Sequence, residues 1–325
     1  MRNSPSSLPL DRCIKAWLCH QRALGRGYDA AQWILSNLQR FLLNRGAADL
    51  DGVAFDCWCN DARGLSASTR RHRQLIVRKF CLFRQRTEPD CFVPDQLYFV
   101  RLTPYRPPTI VEPQQVARML FAADSLSPGS NSPLLPAVAR LAVVILFTAG
   151  LRRGELVRLR LADVDAQSGL LRITSSKFHK SRLVPLSPDA AVALRRYLRL
   201  RLAGPFDGRP SAPLLCNGSR GRHGYSNGGL CQLIRRLIIK ADVHDSHGRR
   251  PRVHDLRHSF AVQALLRWYR QGADVQVHLP RLSMYMGHVS IVSTAHYLHF
   301  VPAMQELASA RFHAAFGGVI KGASV

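Results

Sequence analysis

Acidic residues are scarce in this chain relative to basic ones. Its 325 residues include 21 Asp and Glu against 46 Lys and Arg, which gives a formal net charge of +25 at pH 7. The cations recur from Arg2 to Lys321, among apolar segments with regular spacing. A folded protein with this charge attracts polyanions, and nucleic acid is the leading candidate. Charge alone does not separate an enzyme from a ribosomal or chromatin protein.

Long apolar runs are missing as well. The longest nearly apolar stretch, residues 137–150, is interrupted by Arg140 and is shorter than the ~20 residues that a membrane-spanning helix needs. Residues 1–5 contain no apolar signal core. We therefore expect no membrane partner and a cytoplasmic location, associated with the nucleoid.

Paired cysteines at metal-ligand spacing are also absent from the sequence. The eight cysteines are too sparse for a disulfide scaffold, and Cys57 and Cys59 form a C-x-C pair without a second pair nearby. We expect reduced thiols, mostly in the core, with no metal and no cofactor. Hydrophobic residues make up 46% of the chain, enough to form cores, and the length suggests two domains.

The N-terminal part of the chain is predicted to be helical. The spacing of Ile34, Leu38, Phe41 and Leu42 places them on one face of a helix over residues 29–44. Further helices are expected over residues 11–24 and 53–58, and a fourth begins near one of two good N-caps, Ser66 or Ser68.

The fourth helix carries a stripe of cations. Arg71, Arg78 and Lys79 lie opposite its apolar side. A charged stripe is usually a solvated face, but a stripe of a single sign favours contact with DNA phosphates. These three residues are therefore candidate DNA contacts.

The prolines in residues 104–108 cannot continue a helix, so residues 103–108 are predicted to be an interdomain linker. The expected domains cover residues 1–102 and 109–325. In the second domain, a buried helix is expected over residues 137–147, and two short apolar runs flank a basic stretch in the pattern of a β-hairpin. The second domain is therefore expected to be mainly α with a small β-sheet.

Five local features of the second domain suggest chemistry only when they are taken together. Arg152 follows a helix-ending glycine, and Lys177 lies in the predicted hairpin. His254 and Arg257 form an H-x-x-R pair, and residues three apart share a face of a helix. A Gly-His pair at residues 287–288 and a tyrosine at position 297 complete the set. Each feature alone is more often structural than catalytic.

In this order, the motifs resemble those of the tyrosine recombinase (phage integrase) family. The resemblance covers the catalytic domain, roughly residues 109–302, and covers the N-terminal part more loosely, as a helical core-binding domain. It implies a mainly α fold with a small β-sheet, in which an α/β catalytic domain follows the core-binding domain. Residues 265–272 are similar to a mobile-element subgroup that includes recombinases encoded in trios.

Metal-free cleavage of a DNA phosphodiester requires a nucleophile, charge stabilisation and a general acid. A tyrosine can attack phosphorus and keep the energy of the broken bond in a phosphotyrosine. Two guanidinium groups match the charge that develops on the non-bridging oxygens. The resemblance implies that Tyr297 is the nucleophile, forming a 3′-phosphotyrosyl bond, and that Arg152 and Arg257 clamp the phosphate.

The resemblance also implies roles for the remaining motif residues. Lys177 would protonate the leaving 5′ oxygen, and His254 would assist proton transfer at the tyrosine. His288 would hydrogen-bond the phosphate, while Glu155 and His258 would support the site.

Several assignments stay open at this point. Arg153 competes with Arg152, and Lys180 competes with Lys177, with phosphate-backbone contact as the role of the unused lysine. Tyr285 precedes the Gly-His pair, so its order is wrong for the nucleophile.

Two further regions carry expectations of their own. Arg257 and His288 are 31 positions apart, a longer interval than many members of the resembled family have. The additional residues, around 276–281, are expected to form a loop. Residues 304–315 have helical spacing, which predicts a packed terminal helix, and the resemblance implies a helix that docks on a neighbouring subunit.

The expected function is site-specific DNA recombination that mobilises or integrates a genetic element. The expected partner is double-stranded DNA, bound by a homo- or hetero-tetramer. The alternatives are a type IB-like topoisomerase and a sequence-specific DNA-binding relative without cleavage activity.

Overall fold

The structure, a computed structural model, describes residues 9–25, 28–101, 106–174, 181–288, 290–295 and 297–298. The chain divides into two compact units, one up to Arg106 and the other from Pro107 onward. The predicted terminal helix over residues 304–315 and residues 103–105 of the predicted linker lie outside the described residues. Within the described ranges, no helix is both long enough and apolar enough to span a membrane.

In the part of the first unit that the structure describes there are four α-helices: α1 (Leu10–Ala23), α2 (Asp29–Asn44), α3 (Gly52–Asp61) and α4 (Ala67–Arg84). The bounds predicted for α2 are confirmed. The side chain of Ser66 caps α4 by accepting a hydrogen bond from the backbone N–H of Thr69 at 3.2 Å, so the first of the two predicted caps is the one used. The apolar faces of these helices form one core, which includes Trp17, Leu38, Trp58 and Phe80.

The cationic stripe of α4 is partly occupied by contacts within the unit. Arg71 donates to the carbonyl of Val100 at 3.0 Å, and Arg78 donates to the carbonyl of Pro94. Lys79 is exposed. The two arginines therefore hold the segment after α4, and the lysine is open to solvent.

The second unit contains eight helices within the described residues. They are α5 (Pro113–Asp124), α6 (Leu135–Thr148), α7 (Arg153–Arg158), α8 (Pro188–Ala203), α9 (Asn227–Lys240), α10 (Asp255–Arg270), α11 (Val275–Met286) and α12 (Val292–Ala295). The predicted buried helix is α6, whose side chains lie in the main core of the unit. Its position near the centre of that core fixes the start of α7, which follows it closely.

The antiparallel pairing predicted for the two short apolar runs is confirmed, and a further strand joins them in a three-stranded sheet. The strands β1 (Val164–Asp165), β2 (Leu170–Ile173) and β3 (Arg182–Pro185) pair antiparallel in that order, with Ile173 opposite Arg182. Two further strands, β4 (Cys216–Asn217) and β5 (His223–Gly224), form a separate antiparallel pair. Residues 175–180, with both candidate lysines, Lys177 and Lys180, lie outside the described residues.

The loop expected around residues 276–281 is wrong, because α11 runs through it. The side chain of Asp274 caps this helix by accepting from the N–H of Gln276 at 2.8 Å. Buried residues at i, i+4, i+7 and i+11 form its inner face: Val275, Leu279, Leu282 and Met286. Burial of this face outweighs the cost of Pro280 inside the helix. The extra residues therefore lengthen a packed helix, which ends at the site described next.

Candidate active site

A tight turn between α6 and α7 presents Arg152. Gly150 has a φ of +58°, and a Cβ added there would lie 2.3 Å from Cδ1 of Phe260, so only glycine fits. Arg152 follows in extended backbone as the N-cap of α7, and its N–H donates to Oε2 of Glu155 at 2.9 Å. The glycine turn and this cap together fix the arginine relative to the core.

Glu155 is a buried carboxylate that accepts hydrogen bonds from the side chains of two arginines. Nη1 of Arg152 donates to Oε1 at 2.8 Å, and Arg182 donates to Oε1 and Oε2 at 3.1 Å and 2.9 Å. Burial alone would raise the pKa of Glu155, but the bonds from Arg182 and Arg152 outweigh it and lower that pKa to about 2. The carboxylate is therefore ionised and holds both guanidinium groups in place.

Arg257 lies in the first turn of α10 and is only 2% exposed. Its Nη1 donates to the carbonyl of Gly150 at 2.6 Å, and its Nη2 donates to the carbonyl of Met286 at 2.7 Å. Burial, with the charge of Arg152 next in importance, lowers the pKa of Arg257 to about 10. Two cations thus lie close together, and their field favours an anion between them.

The C-terminal end of α11 accepts hydrogen bonds from three arginines in succession. The carbonyls of residues 285, 286 and 287 accept from Nε of Arg182 at 2.9 Å, Nη2 of Arg257 at 2.7 Å and Nη2 of Arg152 at 2.8 Å. The last carbonyls of a helix lack partners within it and carry partial negative charge, so they bind cations well. This helix end therefore sets the relative positions of the three guanidinium groups.

Gly287 makes this arrangement possible. It ends α11 in the left-handed region with a φ of +66°. A Cβ added there would lie 2.8 Å from Nη1 of Arg182. A glycine is therefore needed both for the backbone conformation and for the approach of Arg182.

The hydroxyl of Tyr297 lies beside an imidazole of α10. Nδ1 of His258 is 3.0 Å from that hydroxyl, and Tyr297 is only 3% exposed. His254 precedes α10 as its N-cap, and its ring meets the ring of His258 edge-on, with 4.7 Å between centroids. Desolvation by surrounding atoms and the charge of Arg257 lower the pKa of His254.

His288 completes the cluster from the end of α11. Its ring is stacked on that of Tyr297 with 6.2 Å between centroids, and its Nδ1 lies 2.8 Å from the hydroxyl of Thr294. Burial and the charge of Arg257 lower the pKa of His288 to about 4, so the ring is neutral at pH 7. A neutral imidazole can donate a hydrogen bond to an anion through one ring nitrogen and accept through the other.

The structure brings together five of the six predicted catalytic residues. The cluster consists of Arg152, His254, Arg257, His288 and Tyr297. Arg153 is not part of it, since its Nε faces the side chain of Asn227 at 3.4 Å near the surface. Lys177 and Lys180 lie outside the described residues, so the choice between them stays a prediction.

Tyr285, the other tyrosine near the motif, is used in packing. Its hydroxyl donates to the carbonyl of Pro185 at 3.0 Å, and its ring is stacked on Phe260 with 5.4 Å between centroids. Burial raises the pKa of Tyr285 to about 12. Its environment therefore opposes formation of a phenolate.

Arg182 is the residue that the sequence analysis missed. The sequence offers no reason to single it out, yet it binds Glu155 and the end of α11. A charged residue at the base of a basic hairpin is not distinctive, and its partners are 27 and 103 positions away. No local pattern could have identified them.

The site combines a phenol, neutral imidazoles and a pair of fixed cations, the groups that phosphoryl transfer through a protein nucleophile requires. Within the described residues, no group of three or more His, Cys, Asp or Glu side chains is placed to hold a metal ion.

Comparison with known proteins gives consistent results. Residues 110–303 match the family model described as the phage integrase family. The chain is 33% identical to a putative integrase/recombinase, y4rE, of Sinorhizobium fredii, over 72% of this chain and 74% of that protein. It is 29% identical to the tyrosine recombinase XerD of Ralstonia nicotianae, over 91% of this chain and 93% of that protein.

Solved structures agree on the architecture. One of the Tn1549 transposon integrase with transposon right end DNA matches with a TM-score of 0.64 and 17% identity, over 94% of this chain and 99% of that one. A structure of the XerH site-specific recombinase on difH DNA matches with a TM-score of 0.58 and 20% identity, over 87% and 79%. At this identity the similarity concerns the fold, and it confirms the predicted fold class.

Proposed function

The chain belongs to the phage integrase family of tyrosine recombinases, and on this basis we propose that it cuts and rejoins DNA at specific sites through a 3′-phosphotyrosyl intermediate. As a member of this family it is a DNA strand-exchange enzyme, and its partner is double-stranded DNA. One observation carries the detailed proposal: Arg152, Arg257 and Tyr297 share one neighbourhood at the end of α11, although they are far apart in sequence.

The two arginines are the proposed clamp on the scissile phosphate. Each guanidinium has five N–H donors and uses part of them on carbonyl or carboxylate oxygens of the chain. Donors that remain can reach the non-bridging oxygens, where charge grows in the transition state. Because the chain already holds both groups, little reorganisation is needed when the DNA binds.

Tyr297 is the proposed nucleophile. The adjacent histidines are proposed to take part in proton transfer and in binding the phosphate. His254 is proposed to assist proton transfer at the phenol, and His288 to donate to a phosphate oxygen. Lys177, with Lys180 as the alternative, is the proposed acid that protonates the leaving 5′ oxygen. Glu155 supports the arginines without touching the DNA.

The first unit is the proposed core-binding domain, with the division of the chain at residues 103–108. Arg71, Arg78 and Lys79 are its proposed DNA contacts. The assembly on DNA is proposed to be a tetramer, either of this chain alone or with related recombinases. The proposed biological setting is the mobilisation or integration of a genetic element at the nucleoid.

The test begins with capture of covalent adducts, because the target sequence is not specified by the chemistry. The full chain is incubated with a pool of randomised duplexes that carry nicks, and covalent complexes are precipitated with potassium dodecyl sulfate and sequenced. We expect one enriched sequence, and we expect the adduct on the peptide that contains Tyr297.

The matched control is Tyr297→Phe, which should bind the enriched duplex with unchanged affinity and form no adduct. An adduct that survives this substitution would overturn the assignment of the nucleophile. Relaxation of supercoiled plasmids regardless of sequence would instead indicate a type IB-like topoisomerase.

A further inference from the structure

Among the described residues, the Tyr297 hydroxyl has an imidazole within hydrogen-bond distance that does not belong to the histidine of the H-x-x-R pair. His258, the residue after Arg257, places its Nδ1 at 3.0 Å from the phenol oxygen, and the two rings meet at 60° with 5.4 Å between centroids. We propose that His258 accepts the proton of Tyr297 during cleavage and returns it during religation. This inference rests on the proposed function, since it requires Tyr297 to be the nucleophile.

The geometry of the pair suits a proton transfer. A separation of 3.0 Å lies within the ~2.6–3.2 Å range expected between a general base and the group that it deprotonates. When the ring proton is on Nε2, the lone pair of Nδ1 points at the hydroxyl, which then donates to it. Tyr297 is buried, so little bulk water competes for its proton.

The surroundings keep His258 in the neutral form that a base needs. Burial is the main cause, and nearby positive charge adds to it, so that the pKa of His258 is lowered to about 4. The charged or titratable groups that face the ring are His254, Arg252, Asp255, Arg257, His288 and Tyr297 itself. Asp255 acts in the opposite direction to the arginines and favours the imidazolium that forms after transfer.

The proposed step balances as follows for cleavage. The O–H bond of Tyr297 breaks, its proton moves to Nδ1 of His258, and the phenol oxygen forms a bond to phosphorus. The bond between phosphorus and the 5′ oxygen breaks, and that oxygen keeps the electron pair and takes a proton from the general acid. Religation reverses each movement, and the imidazolium of His258 returns the proton to the phenol oxygen.

In this scheme, the assistance that His254 gives to proton transfer passes through His258. Its ring meets the His258 ring edge-on, at 86° and with 4.7 Å between centroids, and it is exposed to solvent. The three groups thus run from the buried phenol through a half-buried imidazole to an exposed one. His254 is therefore a positioning residue for the base, with access to the solvent.

The test makes the phenol of residue 297 more acidic. It then compares how much the loss of each histidine still slows adduct formation. Single-turnover adduct formation is measured on a nicked duplex recovered from the randomised pool, with the full chain carrying either tyrosine or 3,5-difluorotyrosine at position 297. With tyrosine, His258→Asn should slow adduct formation by roughly 10²- to 10⁴-fold, the usual contribution of a general base. With difluorotyrosine, this defect should shrink at least tenfold, because the more acidic phenol loses its proton with less help from a base.

Two further variants keep the inference falsifiable. His223→Asn, on the exposed strand β5, should leave the rate unchanged. His258→Gln, a second neutral substitution, should reproduce the defect of His258→Asn while thermal melting and DNA affinity stay near those of the unmodified chain.

The outcomes separate the two proposals. The role of His258 would be overturned if His258→Asn slowed adduct formation equally with tyrosine and with difluorotyrosine at position 297. It would also be overturned if difluorotyrosine reduced the defect of His254→Asn but not that of His258→Asn. Failure of the unmodified chain to form any adduct would instead overturn the proposed function.

Discussion

Glu155, which is buried, and Arg182, which is largely buried, form a bidentate ion pair, with 3.1 Å and 2.9 Å between their nitrogen and oxygen atoms. The pair joins α7 to the first residue of β3. Because the same carboxylate holds Arg152, the sheet and the proposed phosphate clamp are mechanically connected.

Loss of Arg182 should therefore weaken both the fold and the site. Arg182→Ala leaves a buried carboxylate with one partner fewer, and we expect the free energy of unfolding to fall by about 3 kcal/mol. Arg182→Lys keeps the positive charge but cannot bind the carboxylate with two parallel hydrogen bonds, so the free energy of unfolding should fall by less than in Arg182→Ala. Urea denaturation measures both, with Arg172→Ala, exposed on the adjacent strand, as control. Equal midpoints for Arg182→Ala and the control would contradict the importance of the pair.

Gly287→Ala should be more harmful than the same change at another left-handed glycine. Any alanine with this backbone costs about 1–2 kcal/mol. At Gly287 the new Cβ would also displace Arg182, whereas Gly248, with a φ of +71°, has no atom within 4 Å of an added Cβ. Thermal unfolding and adduct formation should both separate the two variants. Matching losses would mean that Arg182 moves aside freely.

Arg152→Ala and Arg153→Ala should differ sharply in adduct formation. Removal of a group that stabilises transition-state charge typically costs about 10²- to 10³-fold, and we expect a loss of this size for Arg152. Arg153 faces Asn227, so its loss should change the rate only a few-fold. Single-turnover rates on the recovered duplex test this. A larger loss of rate in Arg153→Ala would mean that Arg153, and not Arg152, binds the scissile phosphate.

Stability should fall in two steps as the pH is lowered. The pKa values of His258 and His288 are lowered from 6.5 to about 4, so the unfolded chain binds more protons between these values and stability falls there. The pKa of Glu155 is lowered from 4.5 to about 2, so its contribution is complete above 4.5 and is lost as the pH falls toward 2.

Urea denaturation at a series of pH values measures this dependence. The double variant His258→Asn, His288→Asn should flatten the upper step, whereas His223→Asn, exposed on β5, should not. An unchanged upper step in the double variant would show that other groups cause it.

DNA affinity should fall steeply with salt, since many cations displace counterions from the phosphates. Lys79→Ala should reduce the slope of log affinity against log salt by about one, the value expected for one lost phosphate contact. Lys15→Ala is the matched control, because Lys15 already pairs with Asp11 at 2.7 Å. Fluorescence anisotropy on the recovered duplex gives both slopes, and a shallow slope in the unmodified chain would point to another partner.

Local patterns in the sequence were sufficient for most of the secondary structure. The bounds of α2 and the pairing of β2 with β3 follow from hydrophobic spacing, which acts over a few residues. The loop predicted around residues 276–281 is wrong: the interval between Arg257 and His288 is long, but the spacing of Val275, Leu279 and Leu282 is that of a helix face. This spacing is visible in the sequence alone, so the helix was predictable without the structure.

The sequence by itself determined the family, the excess of positive charge and the order of the motif residues, since each of these is a property of residue type and spacing. The tertiary structure decided which of two adjacent arginines joins the cluster, that Arg182 belongs to it, and which histidine contacts the phenol. Those contacts join residues up to 135 positions apart, and the arginines among them bind helix-end carbonyls, which come within their reach only after the chain has folded.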